Sequence, residues 1–247
     1  MGNVFFQPGK GRAAGVRDLF GGIAKRYDFL NDLQSFGLHR WWKRRLVKLA
    51  APGPGKVMLD LCCGTGDVTF RLAAAGAAVV GVDFSEPMLA VARQRRRARG
   101  PDAKVVFVQG DALHIPFADD TFDAVTISYG LRNLAGVADG LREMWRVAKP
   151  GGRLLVLDFG KPDRPWWRSV YFAYLRWLVP VFGRVFARNS EAYAYILESL
   201  QHYPAQRGVA RLMQELPARD VRVFNLLGGV MAINQAIKLP ASRRSPA

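Results

Sequence analysis

Leu59-Asp60-Leu61-Cys62-Cys63-Gly64-Thr65-Gly66-Asp67 is the stretch that decides the fold. An apolar run from Val57 to Leu61 ends in a glycine-bearing turn, and a helical pattern begins at Asp67. Gly64 and Gly66 let the backbone bend sharply and approach a ligand where a Cβ would collide. The following helix presents unpaired N–H groups at the same spot. Alone this signal is weak. The fingerprint of hydride-carrying dinucleotides wants a third glycine at position 69, where Thr69 stands, so a nicotinamide cofactor is the minority reading.

Four more apolar runs follow outward from this turn: Ala78 to Val82, Val105 to Val108, Phe122 to Ile127 and Arg153 to Phe159. They are short, continuous and rich in Val, Leu and Ile, as expected of parallel strands covered on both faces. Between them lie helical patterns over Asp67 to Ala75, Glu86 to Arg99 and Leu134 to Ala148, the second opening on Ser85 as N-cap with Pro87 in its first turn. The alternation predicts an α/β, doubly wound, Rossmann-like sheet. Val221 to Leu227 and Val230 to Lys238, separated by Gly228-Gly229, add an antiparallel C-terminal hairpin. One domain is expected over 1–247. It divides into N-terminal helices at 15–50, a ligand-binding core at 51–160, a helical insertion at 161–216, terminal strands at 217–240 and a disordered Ser/Arg/Pro tail at 241–247.

The 247 residues suffice for a large core, since about 72% of the extended chain's surface is buried at this size. Half the residues are hydrophobic and mean hydropathy is near zero, which excludes disordered and collagenous polymers. Thirty-six Lys and Arg against twenty Asp and Glu leave a net charge of +16, which attracts nucleic acid, anionic lipid or polyphosphate without choosing among them. The two adjacent cysteines, Cys62 and Cys63, make no disulfide framework, and no Cys/His spacing suggests a metal site. They read as small buried apolar groups in a reducing compartment. No export signal is visible, so a cytoplasmic location is expected.

The ends of the strands carry the chemistry. Asp83, at the end of the second strand, can accept both ribose hydroxyl protons of an adenosyl group. Asp111 and Ala112 after the third strand suit an adenine amino group, and Ser128 ends the fourth. With Gly64, Thr65, Gly66 and the Lys149-Pro150-Gly151-Gly152 turn before strand five, the combination resembles the S-adenosylmethionine-dependent methyltransferases. Cys62 stands where many of that superfamily have another glycine.

Val16 to Phe20, Ile23 to Asp32 and Ser35 to Trp42 narrow the resemblance, together with Ile127 to Asn133, Tyr193 to Ser199 and Asn225 to Gly229. Over roughly Gly15 to Lys238 the chain resembles the quinone-biosynthesis C-methyltransferases, which methylate demethylmenaquinol and, in some members, a polyprenyl methoxybenzoquinol. It departs from that family's usual residues at Leu30, Asp158, Gly160, Leu197, Leu227 and Asn234, mostly toward the substrate end. The resemblance implies a membrane-resident polyprenyl quinol as partner and S-adenosyl-L-methionine as methyl donor, with no metal.

A quinol carbon is a weak nucleophile until a neighbouring hydroxyl ionises, so a catalyst must stabilise or create a quinolate. Arg132, just beyond the fourth strand, offers fixed donors to the developing anion, and Asn133 can orient the same oxygen or a water. His39 can take the hydroxyl proton, although packing beside Trp41 and Trp42 explains it about as well. Tyr27, Asp28 and Asn31 share a helical turn and either close the substrate pocket or pack the helix.

Trp166, Trp167, Tyr171, Phe172, Tyr174, Trp177, Phe182 and Phe186 crowd one stretch dotted with Arg168, Arg176 and Arg184. Such dispersed charge argues against a spanning helix. It is either an interfacial element that meets an anionic membrane peripherally or a helix packed on the core. An RNA methyltransferase, using Arg93, Arg95, Arg96, Arg97 and Arg99 as a phosphate face, is the other class. It is disfavoured because Ser128-Tyr129-Gly130-Leu131 replaces the Asn/Asp-Pro-Pro-aromatic loop of base-amino methylases. A catalytically silent adenosyl-binding scaffold is the third reading, and a homodimer is left open.

Overall fold

The computed structural model describes residues 27–100, 104–178, 199–200 and 202–240, with only the backbone described for 27–30. Phe182, Arg184 and Phe186, most of the Tyr193 to Ser199 motif with Leu197, and the 241–247 tail lie outside the described residues.

Among the described residues two helices precede the sheet, α1 (Tyr27–Ser35) and α2 (Leu38–Ala50). Ser35 joins them: its hydroxyl donates to the Asn31 carbonyl at 2.6 Å and accepts the His39 N–H at 3.2 Å. That satisfies one of the N–H groups left open at the start of α2. On α2 the buried residues are His39, Trp42, Lys43, Leu46 and Ala50, the spacing of a helix with one inward stripe.

The chain then runs β1 (Val57–Leu61), α3 (Asp67–Ala74), β2 (Ala78–Asp83), α4 (Glu86–Arg97), β3 (Val105–Gln109), β4 (Phe122–Ser128), α5 (Val137–Val147) and β5 (Ala148–Phe159). After these come α6 (Pro165–Ala173), α7 (Ala205–Gln214), β6 (Ala218–Leu226) and β7 (Met231–Lys238). The seven strands lie in the order β3-β2-β1-β4-β5-β7-β6. β1 pairs parallel with β2 and β4, while β7 runs antiparallel between β5 and β6. The order reverses at β1, so a crevice opens beyond the carboxyl ends of β1 and β4, where ligands of such sheets bind.

Alternation along the strands divides the core. Met58, Ala124, Leu155 and Leu157 pack under Trp42, Leu46, Val68 and Leu72 of α2 and α3. Leu59, Val125, Ile127 and Val156 face Leu141 and Met144 of α5 and Val209 and Met213 of α7. With both faces covered, the continuous apolar runs of the sequence are accounted for.

Three local expectations are corrected. The helix expected from Leu134 starts at Val137, because Leu131–Asn133 form a 3-10 turn and Leu134 is extended. Pro150-Gly151-Gly152 does not separate helix from strand but lies within β5, where the pairing with β4 shifts register between Phe122 and Ala124. A Cβ at Gly152 would sit 2.7 Å from the Lys149 carbonyl, which explains the residue. Finally, β6 and β7 are joined by a 3-10 turn over Leu227–Gly229 rather than by two glycines alone. Leu227 takes a left-handed φ of 48° there, and its carbonyl accepts from Trp167 Nε1 at 2.9 Å.

Candidate functional site

The turn after β1 is shaped by left-handed residues. Cys62 has φ 50°, Gly64 55° and Gly66 85°. Cys62 thus holds a conformation that favours glycine. Room for its side chain comes from across the crevice, since a Cβ at Gly130 would lie 2.5 Å from the Cys62 Cβ. A Cβ at Gly66 would meet the rings of Phe107 and Phe70 at 2.9 Å, so glycine there allows close packing under the loop. Thr69 donates to Asp60 Oδ2 at 2.6 Å, which shows why a third glycine is absent: the position holds a buried carboxylate. Burial pushes the Asp60 pKa up to about 6, although Thr69 and Thr126 donate to it. The half-buried thiols of Cys62 and Cys63 are likewise raised by burial, so they stay protonated and poorly nucleophilic.

Asp83 is the fixed point of a cavity of about 930 Å³ of open space. Its carboxylate accepts the Gly64 N–H at 2.7 Å and the Ser85 N–H at 2.8 Å. Burial raises its pKa against the pull of the amides of Ser85, Gly64 and Phe84. Each oxygen keeps further lone-pair capacity for a ligand hydroxyl. Ser85 stands at the N-cap position of α4, as expected, but its hydroxyl makes no cap bond and is buried without a partner at the cavity wall. Asp111, Ala112, Ser128 and Asn133 also line this cavity, and the Ser128 hydroxyl too is buried without a partner. Asp111 Oδ1 accepts the Leu113 N–H at 2.9 Å, which fixes the carboxylate at the rim.

Beside it, a smaller polar cavity of about 340 Å³ is lined by Lys43, Asp60, Gly64, Thr65, Asp67 and Ser128, among others. Lys43 Nζ donates to Asp67 Oδ2 at 3.0 Å, and Arg71 binds the other oxygen at 2.9 Å. A third cavity of about 470 Å³ lies among α1, α2, α6 and β7, and is lined by Asn31, His39, Trp42, Phe159, Tyr171 and other residues. Tyr129 borders all three. It sits at φ 61° with its N–H on the Leu157 carbonyl and its ring against Phe159, 5.9 Å between centroids.

The structure brings His39 and Asn31 to one wall of the third cavity. Tyr27 and Asp28 belong to α1, but their side chains lie outside those described. Arg132 stands away from these cavities. Instead of offering its guanidinium to a ligand, it is only 5% exposed, lines none of these cavities, and is paired with buried Asp158 at 3.0 Å. The same Nη1 donates to the Tyr129 carbonyl at 2.6 Å, and the guanidinium lies 4.7 Å from the Phe159 ring centroid. Its charge is paired with Asp158 within the protein, and its Nη1 holds the Tyr129 carbonyl. Asn133 Nδ2 donates to that carbonyl as well, at 3.2 Å.

Sequence reasoning missed Asp32, Lys43, Tyr129 and Tyr171. Asp32 precedes His39 by one turn plus the Phe36-Gly37 junction, and only that backward fold brings the two within 2.7 Å. Lys43 could have been found as the charge on the inward stripe of α2.

A family model described as the ubiE/COQ5 methyltransferase family matches residues 9–238. A demethylmenaquinone methyltransferase of Desulfitobacterium hafniense is 41% identical over 91% of this chain and 90% of that protein. The ubiquinone/menaquinone biosynthesis C-methyltransferase UbiE of Ectopseudomonas mendocina is 40% identical over 94% and 91%. Among solved structures, a phosphoethanolamine N-methyltransferase 2 of Haemonchus contortus, in complex with phosphomonomethylethanolamine and S-adenosylhomocysteine, aligns with a TM-score of 0.62 at 18% identity. It covers 80% of this chain and 52% of that one. A SAM-dependent methyltransferase of Aquifex aeolicus aligns at 0.57 with 18% identity, covering 80% and 89%. These structures share the fold.

The geometry of Arg132 makes a prediction about stability. Arg132→Ala leaves Asp158 charged and buried, and urea unfolding should show a loss of about 3–5 kcal/mol. A loss below about 1 kcal/mol, the level of an exposed pair, would contradict the burial.

Proposed function

The chain belongs to the ubiE/COQ5 methyltransferase family, and from that membership we propose that it methylates a ring carbon of demethylmenaquinol, giving menaquinol, with S-adenosyl-L-methionine as donor. The observation that carries the reading is the division of one crevice by Tyr129 into a chamber built around Asp83 and an aromatic chamber containing His39. A polyprenyl methoxybenzoquinol is the second acceptor, because relatives at about 40% identity carry both kinds of name.

The residues fit the donor. Asp83 would take the ribose hydroxyls, Asp111 and Ala112 the adenine edge, and the loop Gly64-Thr65-Gly66 with Ser128 would close around the remainder. The buried Ser85 and Ser128 hydroxyls, each without a partner, ask for a polar ligand. Lys43, Asp60 and Asp67 face the adjoining polar cavity with both signs of charge, as a zwitterionic amino-acid end requires. When bound, S-adenosylmethionine supplies an electrophilic methyl on a sulfonium sulfur. The protein's part is to hold the quinol carbon in line, exclude water, and let the neighbouring hydroxyl ionise.

The described part of the aromatic stretch, up to Leu178, has an inward side and an exposed side. Tyr171 and Leu175 face inward, and Tyr174 donates to the Gln34 carbonyl at 2.7 Å. Trp166, Val170, Trp177 and Leu178 are exposed, Trp177 by 70%, alongside exposed Arg164, Arg168 and Arg176. No helix among the described residues is long and apolar enough to cross a membrane. Exposed tryptophans among arginines on a chain of net charge +16 support peripheral contact with an anionic bilayer, where the polyprenyl substrate resides. The arginine run in and just after α4 is partly engaged by the protein itself: Arg93 pairs with Glu86 and Arg99 covers the Phe70 ring. That weakens the case for RNA.

Purified protein given methyl-labelled donor and, separately, demethylmenaquinol, a demethylated methoxybenzoquinol and total RNA should label the naphthoquinol. Label in the benzoquinol alone selects the second acceptor, and label in RNA rejects both. Asp83→Ala should weaken S-adenosylmethionine binding about 10- to 100-fold by calorimetry, while Thr65→Ala and Ser128→Ala lose less. Unchanged affinity in Asp83→Ala would put the adenosyl site elsewhere. In flotation assays, anionic liposomes should retain more protein than neutral ones and release it with salt, since each basic residue near the surface contributes about 1 kcal/mol. Equal retention on both would reduce the charge to a solubility feature.

A further inference from the structure

The aromatic chamber behind Tyr129 has an unusual wall. Four residues that line it each carry a buried polar atom with no hydrogen-bond partner among the described residues: Asn31 Nδ2, His39 Nδ1, Trp42 Nε1 and the Tyr171 hydroxyl. His39 is 3% exposed, and Trp42 and Tyr171 are also almost wholly buried. Buried polar groups are nearly always bonded, and leaving one unpaired is costly. Four of them around one apolar space mark the place of a ligand that is flat and apolar in its body and polar at its edge. The rings of Tyr129 and Phe159, with Leu175 and Met231, supply the apolar walls.

The tautomer of His39 follows from its neighbours. Nε2 lies 2.7 Å from Asp32 Oδ1. Arg40, bound to both oxygens of that carboxylate, and His39 hold Asp32 down at a pKa of about 2, so Asp32 is an acceptor only. The ring proton therefore sits on Nε2, and Nδ1, the orphan atom, keeps its lone pair.

We propose that this chamber receives the quinol ring, with His39 Nδ1 as the base for its hydroxyl, Asp32 as the residue that positions that base, and Asn31, Trp42 and Tyr171 as partners of the ring oxygens. The inference rests on the quinol-methylating reading and assigns its acceptor site. His39 takes the hydroxyl proton, leaving the O–H electron pair on the quinol oxygen. The ring carbon forms its new bond to the methyl carbon as the methyl's bond to sulfur breaks and that pair stays on sulfur. The same ring carbon then gives its proton to water, the ring regains aromaticity, and His39 returns its proton to the oxygen. One proton is released overall, balancing the positive charge lost from the donor.

The charges around His39 suit a base at neutral pH. Burial and Lys43 push its pKa below the ordinary imidazole value, while Asp32 and Asp67 pull it up. The phenols of Tyr129, Tyr171 and Tyr174 complete the titratable surroundings, and burial keeps Tyr171 protonated as a donor.

Two variants, His39→Ala and His39→Gln, guard against a folding failure in either. Both should lose about 10²- to 10⁴-fold in kcat at neutral pH, with the loss narrowing as pH rises and the quinol ionises unaided. Donor affinity by calorimetry should be unchanged. Asp32→Asn removes an interaction that raises the His39 pKa, so the acid limb of kcat should move to lower pH, which loss of mere packing would not do. For binding without turnover, 1,4-naphthoquinone quenching of tryptophan fluorescence should report several-fold weaker affinity in Tyr171→Phe. Wild-type kcat at every pH in both His39 variants overturns the base, and unchanged naphthoquinone affinity in Tyr171→Phe overturns the pocket. If the unaltered chain labels no quinol at all, the methylation reading fails instead, and the naphthoquinone titration still decides whether the chamber is a ring site.

Discussion

The buried ion pair between Arg132 and Asp158 is the constraint on which the rest of the crevice depends. Arg132 stands just past β4 and Asp158 near the end of β5, so the pair ties together the carboxyl ends of two adjacent parallel strands. The Arg132 backbone N–H also donates to Asp158, at 3.1 Å, so the 3-10 turn after β4 is held by main chain and side chain together. From that anchor one guanidinium nitrogen grips the Tyr129 carbonyl. Tyr129 is forced into a left-handed conformation that a non-glycine residue adopts only when its surroundings insist. The wall between the two chambers is therefore a consequence of an electrostatic interaction several ångströms behind it.

The same economy governs the turn after β1. A side chain at Cys62 occupies space that Gly130 leaves open, so the first and fourth loops of the crevice are matched in volume across the gap. Asp83 then links the first loop to the second, its carboxylate accepting the backbone amides of Gly64 and Ser85 on different oxygens. A carboxylate fixed in this way costs little further ordering when a ligand arrives, which is the physical content of a preformed site.

Much of this was legible in the primary structure, and the reasons differ by element. Strands announce themselves as continuous Val, Leu and Ile runs, so β1 to β4 match the expected segments to within a residue at either end, even at the edge, where Val106 of β3 is exposed. Asp83, Asp111 and Ser128 could be found because strand ends in a parallel sheet converge on one edge, and order along the chain reveals which residues stand there. Arg132 shows the limit: position along the chain gave its neighbourhood but not the direction of its side chain. In the sequence Asp158 stands out only as a departure from a related pattern, and nothing in the spacing of residues 132 and 158 says that they meet. The Asp32 to His39 contact was hidden for a similar reason, since it needs the left-handed Phe36-Gly37 junction to reverse α1 onto α2.

The two groups considered for the chemistry differ in what their surroundings permit. A guanidinium is always charged, and once Asp158 neutralises it in a dry interior its remaining field on a neighbouring chamber is weak. An imidazole can be neutral, and burial together with Lys43 favours that state for His39, leaving a lone pair where a proton can go. A low-dielectric chamber penalises a lone quinolate as severely as any buried anion. Proton transfer to His39 creates an imidazolium beside it, so the two charges form as a pair, with Asp32 on the far side of the ring to stabilise the cation. The burial that makes the chamber hostile to an isolated ion thereby makes it suitable for ions produced together.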